Sequence, residues 1–211
     1  MNIKLLSHTE KPIETIYRAY RTCYSKEVPS KIKLKNNEDM EKFIKKFIHH
    51  ESPLEHCNFT FSIEGVSRSL SHQLVRHRLA SYSQQSQRYV NGESFDYVIP
   101  SSIAEDREAL ETYTYLMKAI DNLYWGLCNV LAVPKEDARY ILPNATTTNL
   151  VMTMNLREFR HFYAERSCKH AQWEIRELAD MAMKEVKKII PFADYKAKKC
   201  GVTCFECTER E

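Results

Sequence analysis

The stretch Asn58-Phe-Thr-Phe-Ser-Ile-Glu64 alternates apolar and polar residues, and the stretch from Ser67 to about Leu79 has Leu70 and Leu74 four positions apart. A period of two is typical of a half-buried strand, whereas apolar residues spaced by three or four are typical of an amphipathic helix. The change of period predicts a strand that leads into a helix. Because more strands and long helices are predicted on both sides, the predicted fold class is mixed α/β.

The elements on both sides follow from the same patterns and from helix-capping residues. Pro12 is well placed in the first turn of a helix that runs to about Cys23. The other predicted elements are a strand over Ile3–Leu6, a helix from Asn37 to His49, an extended segment from Ser83 to Val90, a strand end over Tyr97–Pro100, a long helix from about Ile103 to Leu131 capped by Ser102, a short helix between Pro134 and Pro143, a strand from Thr146 to Met154, and helices over Leu156–Ser167 and Ala171–Ile189.

The composition favours one compact domain. With 211 residues and 43% hydrophobic content, the chain can bury one sizeable core. A formal net charge of +3 is small for a protein dedicated to nucleic acids. Apolar runs stay below the roughly 18 residues of a membrane helix, and the N-terminus has no signal-peptide pattern. We therefore expect a cytoplasmic domain that binds neither nucleic acid nor membrane.

Cysteine and glycine usage narrows the chemistry further. The seven cysteines are odd in number and show no disulfide framework spacing before the last three, which favours reduced thiols. The four glycines belong to no phosphate-binding loop motif. If the protein binds a nucleotide, its side chains must hold the phosphates.

Hydrogen-bond donors are concentrated between residues 73 and 88. On the predicted helix, Gln73, Arg76 and His77 lie at i, i+3 and i+4 and share one face. The alternative is a solvated basic helix end followed by a polar loop, because charged residues are mostly exposed.

The predicted extended segment adds a second group of donors. Gln84, Ser86 and Arg88 are spaced by two, so they would project to one side. The two groups together contain no negative charge, and guanidinium groups bind phosphate oxygens in pairs. We therefore expect an anion pocket that fits a nucleotide phosphate.

The spacing of Arg76-His77-Arg78, seven further residues, Ser86, one residue and Arg88 resembles the signature of the flavin-dependent thymidylate synthases. Other segments resemble that family's motifs in the family's order. They are His50-Glu51-Ser52-Pro53-Leu54-Glu55-His56, Ala138-Arg139-Tyr140-Ile141-Leu142-Pro143, Asn155-Leu156-Arg157 with His161, Arg166, and His170-Ala171-Gln172-Trp173-Glu174-Ile175. There are two departures: Gln84 stands where many members have Glu, and Glu165 stands where Leu is common.

The resemblance implies a methyltransferase that converts dUMP to dTMP, with 5,10-methylenetetrahydrofolate as carbon donor and NADPH as reductant through FAD. It implies one domain over residues 1–199 with long helices and a mostly antiparallel central sheet, and it leaves a Cys-rich C-terminal tail over residues 200–211. Members are homotetramers whose active sites lie between subunits, so each site would contain residues of more than one chain.

The resemblance also implies which residues contact each ligand, and no metal is expected. The implied FAD contacts are Ser52, Arg76, His77, Arg78, Gln84, Asn155, Leu156, Arg157 and His161. The implied dUMP contacts are Gln73, Arg76, Gln84, Ser86, Arg88, Arg139 and Arg166.

Methylation at C5 of uracil requires negative charge to be stabilised on the pyrimidine ring. We hypothesise that Arg166 lies at the N3/O2 edge of uracil and is the catalytic electrostatic group, because a fixed cation stabilises this charge and an arginine does not accept protons. Ser86 could instead be a nucleophile. Because no His or carboxylate stands beside Ser86 in sequence to activate it, a binding role is favoured.

Three other interpretations are weighed. His50 and His56 suggest zinc, although their spacing matches no known metal site. The C-x3-C-x2-C spacing within residues 200–207 is used by some iron–sulfur enzymes, but a disordered thiol-rich tail is favoured. A basic segment with Tyr82 and Tyr89 as stacking residues could bind RNA or DNA.

Overall fold

In a computed structural model of the protein, which describes residues 1–89 and 94–195, one antiparallel sheet is packed against helices. The strands are β1 (Asn2–His8), β2 (Asn58–Ser67), β3 (Ala80–Gln84) and β4 (Thr147–Asn155), in the spatial order β1-β2-β4-β3. The helices are α1 (Pro12–Thr22), α2 (Asn37–Phe47), α3 (Arg68–Leu74), α4 (Ser101–Ala104), α5 (Arg107–Asn129), α6 (Lys135–Ala138), α7 (Leu156–Arg166) and α8 (Trp173–Ile189). The expected mixed α/β class with an antiparallel sheet is confirmed.

Three parts of the sequence-based description fall outside these ranges. The Cys-rich tail over residues 200–211 and the domain boundary at residue 199 lie beyond the described residues, and so does Val90 at the end of the predicted extended segment. Within the described part, no helix is both long and apolar enough to span a lipid bilayer.

The pairing of β2 with β4 forms the centre of the sheet. Phe59, Phe61 and Ile63 of β2 are fully buried, and Phe61 lies opposite Met152 of β4. The alternating sequence is the cause, since every second side chain of a strand points to the same face. This buried face shares one core with apolar residues of α1, α2, α3, α7 and α8.

Helix α3 is shorter than predicted. Its N-cap is Ser67, whose hydroxyl accepts from the amide of Leu70, and it ends at Leu74 instead of continuing to Leu79. Beyond Leu74 the chain tightens into a turn in which the amide of His77 donates to the carbonyl of Leu74. The hydroxyl of Tyr82 donates to the carbonyls of Leu74 and His77, at 2.9 and 3.0 Å, and fixes this turn.

The expected helix face shared by Gln73, Arg76 and His77 is therefore wrong. Gln73 is still on α3, but Arg76 and His77 lie in the turn after it. The turn separates them by burial: the side chain of His77 is buried, whereas that of Arg76 is exposed.

The extended segment is also displaced from its predicted position. Strand β3 begins at Ala80 and ends at Gln84, so Ser86 and Arg88 belong to the loop that follows. In that loop the hydroxyl of Ser86 accepts from the amide of Arg88 at 3.2 Å, which is a local turn interaction. The predicted common strand face for Gln84, Ser86 and Arg88 is wrong.

The long helix predicted after Ser102 is divided into α4 and α5. Asp106 caps α5, because its carboxylate accepts from the amide of Ala109 at 2.9 Å. Helix α5 packs mainly on α4, α6 and the 3₁₀ turn Arg139–Ile141, apart from the core. It leaves several large apolar side chains exposed: Tyr115, Leu116, Leu123 and Trp125.

Candidate active site

The polar side chains implied by the motifs gather in two places. The first, which we call the His77 cleft, is a cleft of about 680 Å³ between the turn after α3, the segment before β2 and helix α7. Its lining residues are Glu51, Glu55, Arg76, His77, Arg78, Leu79, Asn155, Arg157, Glu158, His161, Glu165 and Arg166. The second, which we call the Ser86 loop, consists of residues 85–89 with the Glu136–Arg139 segment beside it.

Helix α7 supplies most of the cleft. Its N-cap is Asn155, whose side-chain oxygen accepts from the amide of Glu158 at 2.9 Å. Glu158, His161 and Glu165 follow at spacings of three and four, so they lie on one side of the helix. The adjacent side carries the core residues Phe159 and Phe162, and the sequence of α7 therefore positions these polar groups against the cleft.

The centre of the cleft is a line of three side chains. Nε of Arg166 donates to Nε2 of His77 at 3.0 Å, and Nδ1 of His77 lies 3.4 Å from Oε1 of Glu158. His77 and Glu158 are each only 5% exposed. Because the Arg166 Nε–H can only donate, Nε2 of His77 must be the acceptor and Nδ1 must carry the imidazole proton.

The charge state of His77 follows from its environment. Burial, the Arg166 cation and His161 lower its pKa to about 4, although the Glu165 carboxylate acts in the opposite direction. His77 is therefore neutral at neutral pH, and Glu158 lies 3.4 Å from Nδ1 of a neutral ring instead of forming an ion pair with it. Burial raises the pKa of Glu158.

The cleft does not have the purely cationic character expected from the sequence. Glu51, Glu55, Glu158 and Glu165 all line it. The guanidinium of Arg157 donates to Glu55, and its Nε lies 3.7 Å from Glu51. The sequence expectation considered residues 73–88 alone, whereas the fold adds carboxylates from residues 51–55 and from α7.

Arg76 and Arg78 remain available at the rim of the cleft. Both side chains are exposed, and in the described ranges neither forms a recorded ion pair with a carboxylate. Two guanidinium groups beside one open cleft fit a diphosphate or another multiply charged anion.

The Ser86 loop brings together three of the residues implied for dUMP. Arg88 Nη2 lies 2.8 Å from Oε2 of Glu136, and Arg139 Nε donates to the backbone carbonyl of Glu136 at 3.1 Å. Both members of the Arg88–Glu136 ion pair are about half exposed, so solvent screens it. In the described chain, the recorded partner of the Ser86 hydroxyl is a backbone amide and not a base, which agrees with a binding role.

A smaller cavity of about 260 Å³ adjoins this loop and contains Arg68, which the sequence interpretation missed. Arg68 Nη2 donates to the carbonyl of Gln85 at 2.8 Å, and thereby fixes the start of the Ser86 loop. Its Nε and the Thr146 hydroxyl are buried and have no partner within the described residues. A signal was present in the sequence, because a cation in the first turn of a helix opposes the helix dipole and needs another partner.

Besides Arg88 and Arg139 of the Ser86 loop, four implied ligand contacts lie outside the lining of both cavities. Gln73 donates to the carbonyl of Ser69 in its own helix, and Gln84 donates to the hydroxyl of Thr148. The side chain of Leu156 is packed in the core, and Ser52 is exposed in the 3₁₀ turn Ser52–His56 between Glu51 and Glu55.

Metal coordination is not favoured by the arrangement. Among the described residues, three ligand atoms within 4.8 Å of one another occur at His77, His161 and Glu165, and not at His50 or His56. The Nε2 lone pair of His77 is used by the guanidinium of Arg166. A metal ion there would have to displace a cation from its acceptor.

Tyr82 serves the fold rather than an exposed stacking surface. Its hydroxyl is bonded to the turn that carries His77, and its ring packs against the core. Tyr89 is exposed. The nucleic-acid interpretation thus loses one of its two stacking residues.

The His170–Ile175 motif has a structural explanation. The side-chain oxygen of Gln172 accepts from the amides of Glu174 and Ile175 and caps α8. Buried Glu174 accepts from the amide and the hydroxyl of Ser67, at 2.7 and 2.5 Å. The motif therefore fastens the start of α3, the helix that leads to His77.

Comparison with known proteins agrees with the motifs. Residues 4–192 match the family described as thymidylate synthase complementing protein. The chain is 44% identical over 196 residues to a flavin-dependent thymidylate synthase of Geobacter sulfurreducens, covering 90% of this chain and 84% of that relative. It is 43% identical over 225 residues to one of Pyrococcus furiosus, covering 100% and 91%.

A solved structure supports the fold. The crystal structure of the flavin-dependent thymidylate synthase ThyX from Helicobacter pylori, complexed with FAD and dUMP, aligns with a TM-score of 0.75 at 24% identity, covering 94% of this chain and 100% of that chain. With the family match over nearly the whole chain, the conclusion is direct: this chain belongs to the flavin-dependent thymidylate synthases.

Proposed function

We propose that this chain catalyses the reductive methylation of dUMP to dTMP with bound FAD, taking the carbon from 5,10-methylenetetrahydrofolate and the electrons from NADPH. The observation that carries this proposal is Arg166, a cation held by a neutral buried histidine inside a cleft lined by further guanidinium groups. Membership of the family indicates the methylation of dUMP, and Arg166 in the cleft is a cation that can stabilise the negative charge formed in that reaction.

The residues of the His77 cleft fit FAD. Arg76, Arg78 and Arg157 offer guanidinium groups for its diphosphate, and Asn155 and His161 line the same cleft. Ser52, His77, Gln84 and Leu156 complete the proposed set, with Leu156 acting through its backbone because its side chain is buried. The flavin, when bound, supplies hydride, whereas the chain binds it and limits access of water.

The Ser86 loop fits the phosphate of dUMP. Arg88 and Arg139 both reach Glu136, so a dianionic phosphate that displaces the Glu136 carboxylate would meet two guanidinium groups and the Ser86 hydroxyl. Gln73, Arg76 and Gln84 are proposed as further contacts to the nucleotide. Ser86 binds and does not attack.

Arg166 acts on the uracil ring. Addition of an electrophilic carbon at C5 requires negative charge to build up across N3 and the ring carbonyls. A guanidinium at the N3/O2 edge stabilises this charge. Because His77 already holds the guanidinium in place, it need not reorganise during the reaction.

We further propose that the enzyme is a homotetramer with active sites between subunits. The exposed apolar side chains Tyr115, Leu116, Leu123 and Trp125 on α5 support an interface, because monomers rarely expose such a group. A second chain could also bring a Ser86 loop against the His77 cleft of the first. The cysteines show no disulfide framework spacing before the last three, which favours reduced thiols and supports a cytoplasmic location.

The test is spectroscopic and catalytic. The purified protein should be yellow, should bleach when NADPH is added without oxygen, and should form dTMP when dUMP and methylenetetrahydrofolate follow. Arg166→Ala should lose at least about 100-fold in dTMP formation while still unfolding in one cooperative transition. The matched control is Arg107→Ala, whose side chain is 92% exposed and pairs only with Glu111 among described residues. A colourless wild type that makes no dTMP with added FAD would refute the proposal.

A further inference from the structure

The contacts of Arg166 leave its two terminal guanidinium nitrogens available for a ligand. Its Nε is bonded to His77, and within residues 1–89 and 94–195 its two terminal nitrogens make no recorded hydrogen bond. A guanidinium fixed through Nε presents both terminal nitrogens in one plane, which is the geometry that binds two adjacent acceptors. The direction of this plane is set by whatever fixes His77.

His77 is fixed on every side. Its ring packs edge-on against Phe162, with centroids 5.2 Å apart and planes at 89°, and its carbonyl accepts from the Tyr82 hydroxyl. Its Nδ1 faces buried Glu158. The ring therefore has little freedom to rotate or to exchange the proton between its two nitrogens.

We propose that Glu158 and His77 form a positioning pair for Arg166: the Glu158 carboxylate keeps the imidazole proton on Nδ1, so that Nε2 stays a permanent acceptor that aims the Arg166 guanidinium at the pyrimidine ring. This inference rests on the proposed function of Arg166. It assigns His77 a second role beside its implied FAD contact, and it assigns a role to Glu158, which no sequence motif singled out.

The pair has a consequence for pH. If His77 gained a second proton, Nε2 would become a donor and would repel the Nε–H of Arg166. The groups that face His77 are Glu158, His161, Glu165 and Arg166 from α7 and the Tyr82 hydroxyl from β3. Of these, Arg166 and His161 oppose its protonation, as does burial, which keeps the acceptor available at neutral pH.

Two substitutions separate this role from packing. His77→Gln keeps a side-chain oxygen that can accept from Arg166, but it loses the ring. His77→Phe keeps an aromatic ring against Phe162, but it has no acceptor. If His77 only fills space, Phe should be the better replacement; if His77 positions Arg166, Gln should be better.

We expect kcat for dTMP formation to fall about 10- to 100-fold more in His77→Phe than in His77→Gln, with a smaller difference in KM for dUMP. In a second pair, Glu158→Leu should lower kcat about tenfold more than Glu158→Gln, because the amide oxygen of Gln can still accept from Nδ1.

A spectroscopic measurement on a bound ligand reports how strongly the protein stabilises negative charge on the pyrimidine ring. The ¹⁹F chemical shift of 5-fluoro-dUMP bound to the protein follows ionisation of the pyrimidine at N3. The apparent pKa of the bound ligand should be higher in His77→Phe than in wild type by about 1 unit, a tenfold weaker stabilisation of the anion, and His77→Gln should resemble wild type. A merely structural role would not produce this order.

The outcomes separate the two proposals. If wild-type protein neither binds 5-fluoro-dUMP nor forms dTMP, the proposed function is wrong. If wild type does both, but His77→Phe equals or exceeds His77→Gln in kcat and in ligand ionisation, the positioning pair is wrong. If either His77 variant fails to fold, the Glu158 pair decides by the same two measurements.

Discussion

The His77 cleft and the Ser86 loop hold their charges in opposite ways. In the cleft, Arg166 is bonded to a side chain that is 5% exposed and is itself backed by buried Glu158. In the loop, Arg88 meets Glu136 in a pair whose members are both about half exposed. The His77 cleft is thus held in place by buried contacts without a ligand, whereas the Ser86 loop is held by exposed contacts that water can replace.

The difference has an energetic meaning. An exposed ion pair contributes about 0–1 kcal/mol, so a phosphate can displace Glu136 from Arg88 at little cost. Removal of one partner from a buried hydrogen bond costs about 1–3 kcal/mol, because the remaining polar group is left without a partner and without water. Substitutions in the two regions should therefore change different quantities: stability and turnover in the cleft, and ligand affinity in the loop.

The largest expected effect is on the buried support of the cleft. Glu174→Ala removes the acceptor of both the amide and the hydroxyl of Ser67 at the start of α3. We expect the free energy of unfolding to fall by about 3–5 kcal/mol, as measured by urea denaturation. Glu174→Gln keeps one acceptor and should lose less; equal losses for Ala and Gln would mean that the carboxylate contacts carry no stability.

The second effect is the pH dependence of stability. The His77 pKa is about 4 in the folded protein, and about 6.5 is expected in the unfolded chain. Between these values the unfolded chain binds more protons, so stability falls as the pH falls through this window. Full loss corresponds to on the order of 3 kcal/mol.

The measurement for this prediction compares wild type with His77→Gln by urea unfolding at several pH values from about 7 to about 4. The wild type should lose more stability than the variant, since only it carries the titrating ring. Glu158, whose pKa burial raises, has the opposite sign and is present in both proteins. Parallel curves would contradict the burial of a neutral His77.

A third effect should be confined to the Ser86 loop. Arg88→Ala should weaken dUMP binding about 10- to 100-fold, which is the range for a charge-assisted hydrogen bond of about 1.5–3 kcal/mol. Its unfolding midpoint should change little, because the Arg88–Glu136 pair is exposed. Isothermal titration with dUMP, together with thermal unfolding, checks both parts; a large loss of stability would remove the contrast between the two regions.

The smallest effect is expected at Glu136. Glu136→Gln removes the carboxylate partner of Arg88. If the dUMP phosphate binds Arg88 as proposed, dUMP affinity should rise by less than about fivefold, within the free energy of an exposed pair. Titration at low and high salt provides the check. The gain should shrink as ionic strength rises, and a loss of affinity would indicate that Glu136 helps to hold the loop.

The sequence determined more of the fold than of the site. Strands β2 and β4 and helix α7 were predictable because their apolar spacing directly reflects which side chains are buried. The end of α3 was not, because it depends on the hydroxyl of Tyr82, which reaches back from β3 to the carbonyls of Leu74 and His77. A tertiary hydrogen bond of this kind has no local signature.

In the candidate site, too, some residues could be predicted from the sequence and others could not. Motif spacing identified Arg76, His77 and Arg166, and the fold brings these three to one cleft. Glu158 was missed because a carboxylate on an amphipathic helix is usually solvated, and only the fold shows that it faces a buried imidazole. The separation of Ser86 and Arg88 from that cleft also required the structure, since it follows from where β3 ends.

Strand β3 also links the two regions mechanically. Its five residues span roughly 17 Å. The hydroxyl of its third residue, Tyr82, holds the turn that carries His77, and its last residue, Gln84, leads into the Ser86 loop. If a nucleotide orders the loop as proposed, it would stiffen one end of the strand whose other end holds the turn that carries His77. Binding at the proposed phosphate site would in this way reach the proposed methylation site through the backbone of a single edge strand.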